Sequence, residues 1–318
     1  MALLILIGLA AGSASALLAA SAAAGSVLAV PLFYLSPLPV MIAGIAFSPL
    51  AAVLAVITGG AGLWLGFGGT FLVTYVVGLG GPALGLSYAA LLARSDPAAR
   101  DGFVWFPVGG LVLLAAGFAT VSVTVALFGM ASDYEAYHAA VTATFQAFVA
   151  GQALPIGAEG RDPLAMATLI AHVLPAMAAG MAMASYLACL YLAARAARVS
   201  GTLARPWPKL AAFRLPPVTS LVLAVVLALS MAGGLAGLAA SAGALTLALA
   251  YALAGFAVVH ALTEGQSART LILGALWVTS AVLGWPMLAM AVLGFADGML
   301  DLRSRIATGK GPPAANDR

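Results

Sequence analysis

Few side chains in this sequence can do chemistry, and most of those lie inside long apolar runs. His172 sits three residues before Pro175 within Leu164–Ala194. Pro175 has no N–H, so the carbonyl near Ala171 loses its helical donor. His172 then has two readings. It serves that carbonyl, directly or through water, or it contacts a ligand. His260 and Glu264 stand at i and i+4. They read as an interfacial ion pair or as a proton-linked site. Asp297, Asp301 and Arg305 recur at i, i+4 and i+8, with Arg303 beside them. Asp301 with Arg305 is a favourable helical pair, and arginine suits the end of a helix. Asp297 lies one turn deeper and needs a cation from another helix, with Arg269 and Arg214 as candidates. Tyr34, Trp64 and Tyr75 line a pocket or form an interfacial aromatic belt.

What is missing narrows the chemistry further. The single cysteine, Cys189, lies in an apolar run and reads as a packing residue. No Cys/His cluster has metal-ligand spacing, so no metal site is expected. There is no Walker A sequence, no Gly-x-Ser-x-Gly elbow and no His-Glu-x-x-His. No catalytic residue, no cofactor and no ATP hydrolysis by this chain are expected. It reads as a protein that is not an enzyme.

The composition identifies the solvent these residues face. Of 318 residues, 64% are hydrophobic and 7% charged, and the mean hydropathy is +1.11. That little charge cannot coat a soluble fold, and disorder needs the opposite balance. The expectation is an all-α, polytopic integral membrane protein with the lipid bilayer as its main partner and no role for nucleic acid.

Apolar runs place the spans. Leu3–Pro31 is the first. Its Met1–Ser26 portion lacks a basic flank, because the first Lys or Arg is Arg94, and so reads as a retained helix rather than a cleaved signal. Ser36-Pro37-Leu38-Pro39 is expected to break the chain into a loop. That leaves Val40–Phe47 as half a span. Leu50–Gly66, Thr70–Ala93 (interrupted at Gly80-Gly81-Pro82) and Phe103–Met130 follow, with a charged loop at 94–101. Ala131–Asp162 is polar and acidic. Tyr134, Tyr137, Val141, Phe145 and Phe148 form one apolar stripe on it, as on a helix lying along the membrane surface. Gly151–Gly160 is expected to be a loop. Leu164–Ala194, Val218–Ala239, Leu245–Leu262, Thr270–Gly284 and Met287–Leu302 complete about nine or ten helical segments.

Charge orients them. Arg195, Arg198, Arg205, Lys209 and Arg214 form a loop without an acid. The positive-inside rule puts that loop in the cytoplasm. Alternation then puts both termini and the 94–101 loop in the cytoplasm and 131–162 outside. The expected location is a bacterial cytoplasmic (inner) membrane.

Four passages carry a family resemblance. Ser36-Pro37-Leu38-Pro39 is followed by Ala46-Phe47-Ser48-Pro49-Leu50. Leu174-Pro175 precedes the basic loop and Phe213-Arg214-Leu215-Pro216 closes it. Gly294-Phe295-Ala296-Asp297 with Asp301-Leu302-Arg303 ends the last span. In this order they resemble the YybS-like bacterial membrane proteins, a family of unknown function. Residues 1–196 also look like the six-helix substrate-binding (S) component of energy-coupling-factor vitamin transporters. That likeness implies capture of a small molecule from the outer face. Read by their own positions, Tyr34, Trp64, Tyr75 and His172 are the residues placed to contact it. The likeness also implies a coupling-factor-type membrane protein and ATPases as partners. Gly8, Gly12, Ala16, Ala20 and Ala24 have the small-residue spacing that docks such a partner, and equally that of internal packing.

The organisation expected is a six-helix region at 1–196, a basic cytoplasmic loop at 197–216, a four-helix region at 217–303 and a disordered tail at 304–318. The first functional reading is a substrate-binding or transport-type component. The rival is a membrane scaffold or assembly factor without a small ligand, favoured by the few polar residues in the spans. His260, Glu264, Arg269, Asp297, Asp301 and Arg303 are assigned to structural ion pairing.

Overall fold

The computed structural model describes residues 1–26, 28–98, 102–152 and 163–309. The expected loop at 151–160 and the last nine residues of the expected tail lie largely or wholly outside that range. Among the described residues, seven helices are long and apolar enough to cross a membrane, and three shorter apolar helices accompany them. The all-α expectation holds apart from one two-stranded hairpin.

The chain forms two compact units. The first comprises Met1–Pro107, Leu114–Pro206 and Val226–Thr246; the second comprises Val108–Leu113, Trp207–Val225 and the residues from Leu247 onward.

The first unit begins with α1 (Ala2–Ala20), which continues as a short 3₁₀ turn to Ala24. Its buried residues are Gly8, Gly12, Ser15 and Ala19. They face α4 (Pro49–Phe67). A Cβ on Gly8 would lie 2.6 Å from the Leu54 Cβ, and one on Gly12 would overlap the Ala55 carbonyl. The small-residue stripe therefore brings two helix backbones of the same chain together.

The Pro-rich stretch departs from expectation. Ala29–Leu35 forms α2 and Pro37–Ile42 forms α3, with Ser36 helical between them (φ −53°, ψ −34°). A π-helical turn carries the run on to Phe47. Ala29–Phe47 is thus a full crossing of 19 residues, not a loop plus half a span. Pro37 stands at the first position of α3, where a missing N–H costs nothing. Ser48 then caps α4, its hydroxyl accepting from the Leu50 N–H at 3.2 Å, with Pro49 in the first turn.

Gly68, at φ +86°, separates α4 from α5 (Gly69–Tyr75). A π-helical segment at Val76–Gly80 joins α5 to α6 (Gly81–Leu91). Gly80-Gly81-Pro82 therefore bends a continuous crossing, Gly69–Leu91, and does not end it. The charged loop is a hairpin, β1 (Ala93–Ser95) antiparallel to β2 (Phe103–Trp105), with Arg94 opposite Val104. Next come α7 (Val108–Met130), α8 (Tyr134–Gln152) and α9 (Pro163–Val199). Asp133 caps α8 through the Ala136 N–H at 2.8 Å. That bond, with help from the Ser132 hydroxyl, holds the Asp133 carboxyl below its ordinary value. Tyr137 and Val141 of the expected stripe are buried with Leu127, Ala131, Ala171, Leu235 and Leu238, whereas Phe148 is exposed.

α10 (Val218–Ser230) is short and α11 (Gly234–Leu262) is long. The expected break at 239–244 is helix. The chain turns instead at Gly233 and Gly234, whose φ values of +73° and +65° suit glycine.

In the second unit, α12 (Arg269–Leu283) and α13 (Trp285–Leu300) are followed by α14 (Leu302–Gly309). α11 and α13 approach closely. A Cβ on Gly255 would overlap the Met290 carbonyl, and one on Gly294 the Tyr251 carbonyl. Phe256 stacks on Trp277 at 4.2 Å.

Candidate functional site

Prolines in the first unit leave carbonyls without helical donors, and side-chain hydroxyls from neighbouring helices fill the places. In hydrocarbon each unfilled place would cost several kcal/mol, which is why such partners are found. Pro175 orphans the Ala171 carbonyl, as the sequence predicts. The donor is not His172 but the Tyr137 hydroxyl, at 2.8 Å. Burial pushes the Tyr137 phenol up to about 12, so it stays a donor. His172 is exposed.

Pro82 acts on two carbonyls. In the α register its missing donor belongs to Gly78, and in the π register to Val77. The Tyr186 hydroxyl donates to Gly78 O at 2.6 Å, and the Ser122 hydroxyl lies 2.8 Å from Val77 O. Hydroxyl-to-carbonyl bonds also tie the helices around Ser36, here on carbonyls that no proline orphans. The Ser15 hydroxyl donates to Ser36 O (2.7 Å) and the Ser36 hydroxyl to Ser15 O (3.0 Å). The Tyr75 hydroxyl donates to Ser15 Oγ at 2.9 Å. Ser185 and Cys189 both reach the Tyr34 carbonyl.

A groove of about 410 Å³ runs between α5 and α7. Thr70, Thr74, Gly78, Ser122, Gly129 and Met130 are among its walls. It extends from the mid-span π segment to the end of the crossing opposite the hairpin. Its volume suits a small molecule. Its walls are apolar apart from hydroxyls and carry no titratable group. The Thr70 and Thr74 side chains make no hydrogen bond among the described residues. This site can bind an amphiphilic or apolar molecule by shape and hydroxyl contacts, and it has no acid, base or nucleophile beyond those hydroxyls.

The four residues expected to contact a ligand do not converge. Tyr75 is buried in the serine network, and Tyr34 contributes its carbonyl to the Ser185 contact. Trp64 is 55% exposed, and His172 is exposed on α9. The groove residues Thr70 and Thr74 escaped the sequence reading, although their i, i+4 spacing places both on one helix face.

The expected ion pairs are rearranged. Asp297 is held by Arg303, not by Arg269 or Arg214. Arg303 Nη2 and Nε lie 2.7 and 3.0 Å from Asp297 Oδ2, and the Arg303 N–H lies 3.1 Å from Oδ1. Both side chains are buried, 8% and 4% exposed. A further bond runs from Arg303 Nη1 to the Ala211 carbonyl at 2.8 Å. The turn between them depends on Asp301 in the left-handed region (φ +47°), which aspartate tolerates better than most residues. Asp301 pairs with Arg214 at 2.6 Å, both about half exposed, rather than with Arg305. The Ser304 hydroxyl, then Arg214, hold the Asp301 carboxyl below its ordinary value. His260 and Glu264 form no ion pair, because α11 ends at Leu262 and Glu264 leaves the shared face. His260 Nε2 lies 3.4 Å from the Trp277 indole N–H instead. Arg269 begins α12. Among the described residues no cluster of three His, Cys, Asp or Glu side chains could hold a metal.

No curated protein and no solved structure matches the chain. A family described as predicted membrane protein (DUF2232) matches residues 13–298, from within α1 to near the end of α13. With so much of its length matched and its helices apolar and long, this multi-pass membrane protein belongs to the DUF2232 family.

Proposed function

We propose that the first unit is a substrate-binding or transport-type component that captures a small amphiphilic molecule in the α5–α7 groove. The observation that carries this reading is the groove itself, with two unbonded threonine hydroxyls beside the hydroxyl-capped π segment at Gly78. π-helical turns recur at functional sites. Six crossings in this unit, α1, α2–α3, α4, α5–α6, α7 and α9, agree with the S-component likeness, and the ordered proline motifs with a YybS-like one. The role is binding, not catalysis.

Orientation follows from charge. The hairpin with Arg94 and the start of the basic loop share one end of the unit, since Arg205 Nη1 reaches the Ala90 carbonyl at 3.1 Å. Placed in the cytoplasm by the positive-inside rule, they leave the groove opening toward the outer leaflet of a bacterial inner membrane, with both termini inside. A coupling-factor-type membrane protein with ATPases would supply energy. It would dock elsewhere than on Gly8 and Gly12, which α4 already covers.

The scaffold reading keeps one observation in its favour: the core hydroxyls of Ser15, Ser36, Tyr75 and Tyr186 are satisfied within the chain. Gly129 separates the two. A Cβ there meets nothing within 4 Å, so a side chain at Gly129 has room to start into the groove it lines, and Gly129→Leu is the variant chosen to obstruct it. The protein purified in mild detergent should carry a small molecule visible by mass spectrometry. Gly129→Leu should lose it at unchanged melting temperature, and Thr74→Val should retain about three- to tenfold less. A wild-type protein that carries no ligand, or a Gly129→Leu variant that keeps it, would give the scaffold reading the lead.

A further inference from the structure

Another cleft of the first unit lies where α6 and α9 end, at the hairpin. It holds about 610 Å³, and Phe103, Trp105, Leu203, Arg205 and Pro206 are among its walls. These walls combine aromatic and aliphatic surface with one cation. Arg205 is half-buried, and its Nη1 is fixed on the Ala90 carbonyl. Among the described residues no carboxylate forms an ion pair with its remaining N–H groups; Asp301 and Asp297 are taken by Arg214 and Arg303. Asp96, on the hairpin, is engaged with the Ala98 N–H at 2.9 Å. Burial lowers the Arg205 guanidinium from its ordinary value, as expected of a charge removed from water without a counter-charge. Trp105 lines the same cleft, and its indole N–H is buried without a hydrogen-bond partner among the described residues. A native structure rarely leaves such a donor unmet unless something outside the chain meets it.

We propose that this cleft binds the phosphate of an anionic phospholipid. The guanidinium fork takes phosphate oxygens in bidentate fashion, the indole N–H adds a third donor, and Phe103, Leu203 and Pro206 receive the glycerol and upper acyl region. A lipid is favoured over free phosphate by the apolar walls and by the position at the ends of two crossings, where head groups lie. Anionic lipid is favoured over zwitterionic because no carboxylate among the described residues pairs with the arginine. The site is separate from the α5–α7 groove and does not depend on the function proposed for it.

The test uses the full-length protein in mild detergent, titrated with phosphatidylglycerol, phosphatidylcholine or inorganic phosphate, with bound lipid read by native mass spectrometry and melting temperature in parallel. Phosphatidylglycerol should bind at least about tenfold more tightly than phosphatidylcholine. Arg205→Gln keeps a donor for the Ala90 carbonyl but no charge, and should abolish that preference. Trp105→Phe keeps the ring and removes the N–H, and should weaken phosphatidylglycerol binding about three- to tenfold. If Arg205→Gln does not fold, Trp105→Phe decides alone. Equal binding of the two lipids, or wild-type affinity in a folded Trp105→Phe variant, overturns the proposal. Stabilisation by inorganic phosphate without binding of phosphatidylglycerol overturns the lipid assignment.

Discussion

The Tyr137 hydroxyl on α8 donates a 2.8 Å hydrogen bond to the Ala171 carbonyl on α9, four residues before Pro175. One helix thereby repairs the break that proline makes in another. The bond also ties α8 to a membrane crossing, so the acidic segment 131–152 is anchored to α9 by more than its apolar stripe.

Tyr137→Phe keeps the ring and leaves the Ala171 carbonyl without a partner. It should lower stability by about 1–3 kcal/mol, read as a fall in melting temperature in detergent. Pro175→Ala returns an N–H to that carbonyl. In a double-mutant cycle it should recover most of the loss. His172→Ala, on an exposed side chain, should change little. Additive effects of Tyr137→Phe and Pro175→Ala would mean that the two residues are not coupled.

Gly12→Leu should prevent folding, because a side chain there overlaps the Ala55 carbonyl and crowds Thr58. Expression as a monodisperse monomer would show that α1 is not locked on α4. Leu9→Ala, on the exposed side of α1, should leave expression and melting temperature near wild type.

Asp297→Asn leaves the buried Arg303 guanidinium uncompensated, and breaking such a pair costs about 3–5 kcal/mol. Asp301→Asn removes a half-exposed pair with Arg214 and should cost under about 1 kcal/mol. Thermal unfolding of the two variants side by side tests the difference. Similar small losses would mean that the Asp297–Arg303 contact contributes little.

Orientation is checked with single cysteines at Ser132 and Ser200 in a Cys189→Ala background. Both positions are exposed. An impermeant thiol reagent on intact cells should label position 132 and spare position 200. The reverse pattern would invert the assigned topology.

The class of this protein was legible from composition alone, since 7% charge and long apolar runs leave a bilayer as the only consistent solvent. The near-complete set of crossings followed from run length, and the orphaned carbonyl at Ala171 from the chemistry of proline. Each of these is a property of one residue or one segment. What sequence reading got wrong depends on neighbours. Ser36–Pro39 looks like a loop when proline is weighed alone, yet it stays helical, with the hydroxyls of Ser15 and Ser185 on the carbonyls around it. The turn at Gly233 resembles the Ala/Gly/Ser stretch at 239–244 in composition, and only the backbone conformation at Gly233 and Gly234 distinguishes it. Asp297 meets Arg303 across six residues, a spacing no helix brings together, because the chain reverses at Asp301. The groove beside Thr70 and Thr74 exists only because α7, distant in sequence, supplies its other wall, tied to the adjoining π segment by the Ser122–Val77 contact across 45 residues. Local chemistry decides where a polar group is left in need of a partner; tertiary packing decides which partner arrives, because in hydrocarbon the nearest hydroxyl or guanidinium, not water, must fill the place.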